Sequence, residues 1–243
     1  MNKNTAQLKS EARGILLGKY GTVIGAMILV ELLTLAVSLI TSAVTSTNTI
    51  YGMIMYYVIT FIVVLLTAIL GVGLIYLNLN IICERPYKLS DVFYGFKAHP
   101  DKAIIVQFLL ILIGCACMLP AILVSVLYYF TKNSLLIMLI ALLGVLGVIA
   151  VTILRLQFSQ AFYILLDFPD YSSLDLMRVS KKIMKGHCGR LFYLYISFVP
   201  LYLLALLSCG IGFLFITPYV RMTMAYFYMD LIQNNQSHPS QEI

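Results

Sequence analysis

Two charged residues sit inside long apolar runs: Glu31 in "AMILVELLTLAV" and Arg221 in "ITPYVRMTMAYF". A charge at the centre of a bilayer costs about 2.5–3.5 kcal/mol or more, so such residues turn toward the bundle and find partners. Both fall near mid-depth in the segments described below. An ion pair between Glu31 and Arg221 is therefore expected, closing the first and last spans against each other. The other outcome is a polar cavity for an ion, a proton or a lipid headgroup, with Thr217, Tyr219 and Thr223 supplying hydrogen bonds. The stretch "GIGFLFITPYVR" adds a helix break. Gly210 and Gly212 open it, and Pro218 leaves the carbonyl four residues earlier without its donor. Broken helices line binding sites in some transporters. A tight turn followed by an ordinary proline kink is the plainer reading of the same residues.

A second constellation is the run "RVSKKIMKG" at 178–186. Ser172 with Asp175 resembles a capping box and should start a helix there. Gly186 is a natural stop. Arg178, Lys181, Lys182 and Lys185 then share one face, and Leu176, Val179, Ile183 and Met184 share another. An amphipathic helix of this kind should lie in the membrane interface. Each Lys or Arg beside an anionic leaflet contributes about 1 kcal/mol.

Other chemistry is thin. His99, His187, Cys188 and Cys83 match no zinc spacing, so no metal site is expected. There is no Gly-rich phosphate loop, no HExxH and no GxSxG, so neither an enzyme nor a cofactor is expected. Asp167, Asp170 and Asp175 cluster in one loop, where capping and solvation account for them. The five cysteines form no disulfide framework and are expected as free, buried thiols.

These residues are positioned by a chain that is 61% hydrophobic and only 11% charged. A soluble domain carries about 25% charged residues. Several runs exceed the roughly 18 residues that read as a membrane span. The fold class is therefore an all-α polytopic transmembrane bundle. Six spans are read: about 20–43, within 51–82, within 103–129, within 135–166, about 191–208 and about 213–231. Turn chemistry separates them at "TSTNT", "ERPYK", "TKNS", "DFPDYSS" and "CGIG". The second and fourth spans are overlong, roughly 45 Å against a core of about 30 Å, and should tilt or project. In the fourth, Arg155, Gln157, Ser159 and Gln160 mark the exit from hydrocarbon. Pro120 should kink the third span. The first apolar segment is too long for a signal h-region and is expected to remain as an anchor.

The net charge is +6, from 16 Lys and Arg against 10 Asp and Glu. Lys3, Lys9, Arg13 and Lys19 precede the first span, and Arg85, Lys88, Lys97 and Lys102 lie in the second loop. Arg155, Arg178, Lys181, Lys182, Lys185 and Arg190 cluster around the fourth. That places fourteen on one side against Lys132 alone on the other. The positive-inside rule then puts both termini in the cytoplasm. The excess charge is a topology signal, so nucleic acid is not an expected partner.

A repeat is also legible. "LLGKYGTVI" at Leu16 and "IMKGHCGRLF" at Ile183 equate Gly18 and Gly21 with Gly186 and Gly189. A looser copy has Ser90 capping a short helix through "DVFYGFK". Residues 1–232 form one membrane domain, readable as three hairpin modules over about 1–82, 83–166 and 167–232. Residues 233–243 read as a disordered polar tail.

Ser180, Met184-Lys185-Gly186, Leu191-Phe192, Leu194 and Ser197-Phe198 form one motif. Gly210-Ile211-Gly212, Pro218-Tyr219 and Phe227-Tyr228 form another. With the leader "LKSEARGILLGKYG", they resemble a bacterial integral membrane family known only as a domain of unknown function. The resemblance covers essentially the whole chain and implies a six-span inner-membrane protein with no established activity. That family often has a tryptophan in span five after the Ser-Phe, where this chain has Pro200-Leu201. The expected function is a non-enzymatic accessory or scaffold of the cell envelope. The alternative is a small permease or lipid-handling transporter using Glu31 and Arg221. Expected partners are anionic lipids at the cytoplasmic face and a membrane protein or second copy of the chain.

Overall fold

A computed structural model describes residues 3–45 and 49–237, with side chains to Asn234. The turn expected at 45–49 and the polar tail from 238 onward fall wholly or partly outside these residues. Everything described as regular is helical. The helices are α1 (Thr5–Leu16), α2 (Tyr20–Val44), α3 (Ile50–Ile82), α4 (Tyr94–Lys97), α5 (Pro100–Thr131), α6 (Leu135–Gln157), α7 (Ala161–Asp167), α8 (Ser173–Met184), α9 (Cys188–Ile196), α10 (Val199–Leu207) and α11 (Phe213–Ser237). A 3-10 turn, Leu89–Phe93, leads into α4.

Five helices among the described residues are long and apolar enough to cross a membrane: α2, α3, α5, α6 with α7, and α9 with α10. The chain is thus a multi-pass membrane protein by the length and composition of its helices. The sixth expected span coincides with α11, which has the length but not the hydropathy. Its burial shows why. Tyr219, Val220, Met222, Thr223, Met224, Ala225, Phe227, Tyr228, Asp230 and Leu231 are all buried, so its neighbours are other helices. A helix surrounded by protein need not be apolar all round. α11 also continues through Ser237, so the tail expected to be disordered from 233 begins as helix.

The core is not spread evenly. It lies at the end of the bundle that carries α1, α4, α7 and α8, here called the collar end. One buried cluster joins Leu8, Ala12 and Leu16 of α1 to Val23, Ala26, Leu77, Leu194 and Phe227. A second joins Ile69, Val72, Ala103, Val106, Ile164 and Tyr228. The distal halves of the long helices are mostly exposed: none of the most apolar stretch of α5 is buried. In water that would be untenable, whereas lipid tails solvate such surfaces at no cost. Aromatic residues mark the distal end: Tyr51, Tyr56 and Tyr57 begin α3, and Tyr128, Tyr129 and Phe130 end α5. Such belts sit at membrane–water boundaries.

Backbone contact sets the collar. A Cβ on Gly73 of α3 would lie 1.8 Å from the Val92 carbonyl oxygen, and one on Gly95 would lie 2.1 Å from that of Ile69. Two glycines thus interlock α3 with the 89–97 segment, and Tyr94 stacks on Tyr76 at 3.7 Å. Past Gly73, α3 runs on for nine residues, about 14 Å of axis. The overlong span therefore extends beyond the level of α4. The other overlong segment instead breaks at Phe158–Gln160, where the polar run lies.

The two glycine-bearing linkers follow one backbone path. Leu17 and Lys185 have φ/ψ of −59/122° and −62/120°. Gly18 and Gly186 follow at φ +79° and +84°. Lys19 and His187 come next at −113/−3° and −107/−5°. Pro120 and Pro218 lie inside helices that continue through them, so neither ends its helix, and the fifth apolar segment is interrupted at Ser197–Phe198, one turn before Pro200. One expectation differs from the structure. All five cysteines are free, but Cys83, Cys115 and Cys209 are exposed and the other two are half-buried.

Gly73→Ala should destabilise the protein by about 1–3 kcal/mol, because the Val92 backbone cannot retreat without breaking its turn. Gly114→Ala, with open space around it, should be near neutral. Reversible unfolding in detergent micelles compares the two; equal stabilities would refute the interlock.

Candidate functional site

Glu31 and Arg221 do not form an ion pair; each lines a cavity of its own. Glu31, exposed and about midway along α2, stands in the wall of a cavity of about 430 Å³ with Met27, Ile28, Phe213, Leu214 and Thr217. Gly210 closes one edge of that cavity. Arg221, one turn further along α11 than Thr217, lines a separate chamber of about 260 Å³ with Asn78, Gln160, Tyr163 and Tyr195. Two buried acceptors in that chamber, Asn78 Oδ1 and Gln160 Oε1, have no hydrogen-bond partner. Thr217 and Arg221 lie one turn apart on α11, and the elements packed against each turn, which residue spacing does not specify, separate the two cavities.

The expected helix break resolves into a turn. Cys209 (φ +53°) and Gly210 (φ +90°) take left-handed conformations between α10 and α11. Gly212 meets Ala205 so closely that a Cβ would lie 2.7 Å from its Cα. Pro218, in the second turn of α11, breaks nothing.

The buried charge pair of the described residues lies elsewhere. Arg190 of α9 pairs with Asp230 of α11, and Asp230 is 3% exposed. The same guanidinium donates to the Lys3 carbonyl oxygen at 2.6 Å, and the Lys3 backbone N–H donates to Asp230 Oδ1 at 3.1 Å. It also lies 5.0 Å from the centre of the Phe227 ring. The N-terminal segment is thereby clamped between α9 and α11. Lys9 adds a second tie: its ammonium donates to the Ser197 carbonyl at the α9–α10 break and sits 4.0 Å from the Phe198 ring centre. Burial holds its pKa below the ordinary lysine value. Residue order alone places Arg190 among the loop charges and does not single out Asp230. The available signal was the lone carboxylate in the apolar run "AYFYMDLI".

The basic face forms as spaced. Ser172 caps α8, accepting from the Asp175 N–H at 3.2 Å and donating to its carboxylate at 2.6 Å. That hydroxyl, with the Arg178 guanidinium behind it, holds the Asp175 carboxyl below its ordinary pKa. Arg178, Lys181, Lys182 and Lys185 are exposed and line one cavity of about 450 Å³ with Gln157, Gly186 and Cys188. The opposite face differs from expectation. Leu176, Met177 and Met184 are buried against the bundle, and Val179 and Ile183 pack on it, so this face meets protein. Ser180 explains the seating. Its hydroxyl donates to the Gln157 carbonyl at 2.9 Å and accepts from the Gln160 N–H, satisfying backbone groups freed by the α6–α7 break.

His99, His187, Cys83 and Cys188 do not converge, and no group of three metal-ligating residues forms among the described residues. Asp167, exposed at the end of α7, accepts from the Tyr228 hydroxyl at 2.6 Å.

Arg190→Gln should cost about 3–5 kcal/mol, because it strands the buried Asp230 carboxylate, and Asp230→Asn should cost less, because the Arg190 side chain is partly exposed. The combined Arg190→Met, Asp230→Leu variant should recover most of that loss. The same cycle on Glu31 and Arg221 should be additive within about 0.5 kcal/mol. Unfolding in micelles measures both, and coupling at Glu31–Arg221 with none at Arg190–Asp230 would overturn this assignment.

No curated protein and no solved structure matches the chain. Residues 1–235 match the model of the family described as "Protein of unknown function (DUF975)". With the match covering nearly the whole chain, the protein belongs to that family.

Proposed function

We propose that the protein is a non-enzymatic accessory or scaffold of a bacterial inner membrane, with both termini and the collar in the cytoplasm, as the fourteen-to-one distribution of Lys and Arg indicates. It docks a transmembrane helix of another membrane protein in the groove between α2 and α11. The observation that carries this reading is Glu31: an exposed carboxylate near the middle of an apolar helix, opening sideways on a groove rather than into the bundle. A charge so placed is costly in lipid and calls for a donor. A partner helix with a cation or hydrogen-bond donor at mid-depth supplies one. Separation of Glu31 from Arg221 also argues against a route through the bundle, since transport needs a connected polar path.

One observation favours the lipid-handling alternative. The Arg221 chamber holds a guanidinium and two unpartnered acceptors, the complement of a zwitterionic or hydroxyl-bearing headgroup. In that case Arg221→Gln, and not Glu31→Gln, removes a co-purifying lipid.

A photoreactive residue at Leu32, on the lip of the Glu31 groove, should crosslink a defined membrane protein in intact cells. Glu31→Gln should lower the yield several-fold, while a probe at the exposed Leu123 of α5 should give no such product. Crosslinks to lipid alone, unchanged by Glu31→Gln, would overturn the scaffold reading.

A further inference from the structure

The basic cavity and a second, apolar cavity meet at one residue. Gln157, Arg178, Lys181, Lys182, Lys185 and Gly186 line the first together with Cys188. Cys188 then opens the second, a groove of about 420 Å³ between α6 and α9, walled by Val148, Ile149, Ile153, Leu156, Gly189 and Phe192. The order along the helices is coherent. On α6 the sequence runs from Gln157 at the cations to Leu156 and back to Val148. On α9 it runs from Cys188 to Phe192. Charge lies at the collar end, and hydrocarbon surface continues from it toward the distal end. From Val148 to Leu156 the groove follows about 12 Å of helix axis, most of the ~15 Å that one leaflet's hydrocarbon occupies.

We infer that this composite cavity holds a single anionic phospholipid, with its phosphate among Arg178, Lys181, Lys182 and Lys185 and one acyl chain in the α6–α9 groove. Two features separate this from general attraction to an anionic leaflet. First, Lys181, Lys182 and Lys185 have no anionic partner within the protein among the described residues. Only Arg178 is paired, to the exposed Asp175 at 3.1 Å. Second, α8 is fixed in place. Its apolar face is buried in the bundle and Ser180 bonds it to the α6–α7 break, so its cations are held in register with the groove mouth. A helix floating on the surface would hold no such register. The polar Thr152 hydroxyl, which would be out of place against an acyl chain, donates to the Val148 carbonyl of its own helix at 2.8 Å. Gly189 leaves the groove open, because a Cβ built there meets nothing within 4 Å. The inference rests on the chain being membrane-embedded with α8 at the surface, and is independent of a partner helix at Glu31.

Native mass spectrometry of the full chain, released from micelles doped with phosphatidylglycerol or phosphatidylcholine, tests it. One phosphatidylglycerol should be retained in preference to phosphatidylcholine. Arg178→Gln, Lys181→Gln, Lys182→Gln and Lys185→Gln combined should weaken retention at least tenfold. Gly189→Phe, which fills the groove without touching a charge, should weaken it several-fold. Arg85→Gln, Lys88→Gln and Lys97→Gln combined, at exposed positions outside the cavity, should leave it unchanged. Unfolding temperatures verify that each variant is folded, and Gly189→Leu replaces Gly189→Phe if the latter is not. Equal losses from both sets of charge variants would mean a diffuse surface field and overturn the site. Full retention in the Gly189 variant, with displacement by inorganic phosphate, would mean a free-phosphate site and overturn the lipid assignment. Binding unaffected by any variant would also overturn it.

Discussion

Arg190 and Asp230 hold one another where neither could remain alone. A buried carboxylate without a cation would take up a proton or pull the helix ends apart, and the cost of stranding either partner is several kcal/mol. Because Arg190 is on α9 and Asp230 on α11, their contact sets the distance and rotation between the last two long helices at the collar. Both groups also bond to the Lys3 peptide, so the start of the chain is seated by the same contact. Once Lys3 is placed, α1 lies along α11, Lys9 reaches the Ser197 carbonyl, and Leu8, Ala12 and Leu16 complete the larger core cluster. The pair is therefore a point of assembly for segments nearly the whole chain length apart.

The breaks in the long helices obey the same demand for satisfied polar groups. Where α6 gives way to α7, Ser180 takes up the freed carbonyl and N–H. Where α9 gives way to α10, the Lys9 ammonium does so for Ser197. In a low-dielectric setting an unpaired backbone group costs several kcal/mol, so each interruption must carry its own partner. The motif residues Ser180 and Ser197-Phe198 thus gain a physical meaning. They mark where α8 and α1 are docked, and the proline at position 200 is what opens the second of these sites.

Packing is dense at one end and sparse at the other, and this division organises the functional reading. A rigid collar can hold charges in fixed register, which is what the α8 cations and the mouth of the α6–α9 groove require. The distal halves of α2, α3, α5 and α6 pack as two hairpins, α2 on α3 and α5 on α6, with most of their apolar side chains exposed, leaving wide lateral surfaces and the Glu31 groove open to lipid or to another helix. Open lateral surfaces, with Glu31 and Arg221 in separate cavities, are the basis of the proposal that the protein associates in the membrane plane.

The sequence by itself determined the elements. Apolar runs longer than a soluble helix needs, and glycines, caps and charges at their ends, are local properties. Hence five of the six expected spans, the Ser172 cap, the shared basic face of α8 and the paired linkers at Gly18 and Gly186 were legible from residue order. Tertiary structure alone decided which charges meet. Pairing depends on the rotation and depth of helices distant in sequence, so Glu31 and Arg221, alike on the page, line separate cavities, while Arg190 and Asp230, not adjacent in any motif, are joined. The same holds for α11: its low hydropathy reads as a weak span until its neighbours are known, and burial among them is what allows it. It holds as well for the apolar face of α8, whose amphipathic pattern is equally suited to lipid or protein and is settled only by the bundle it meets.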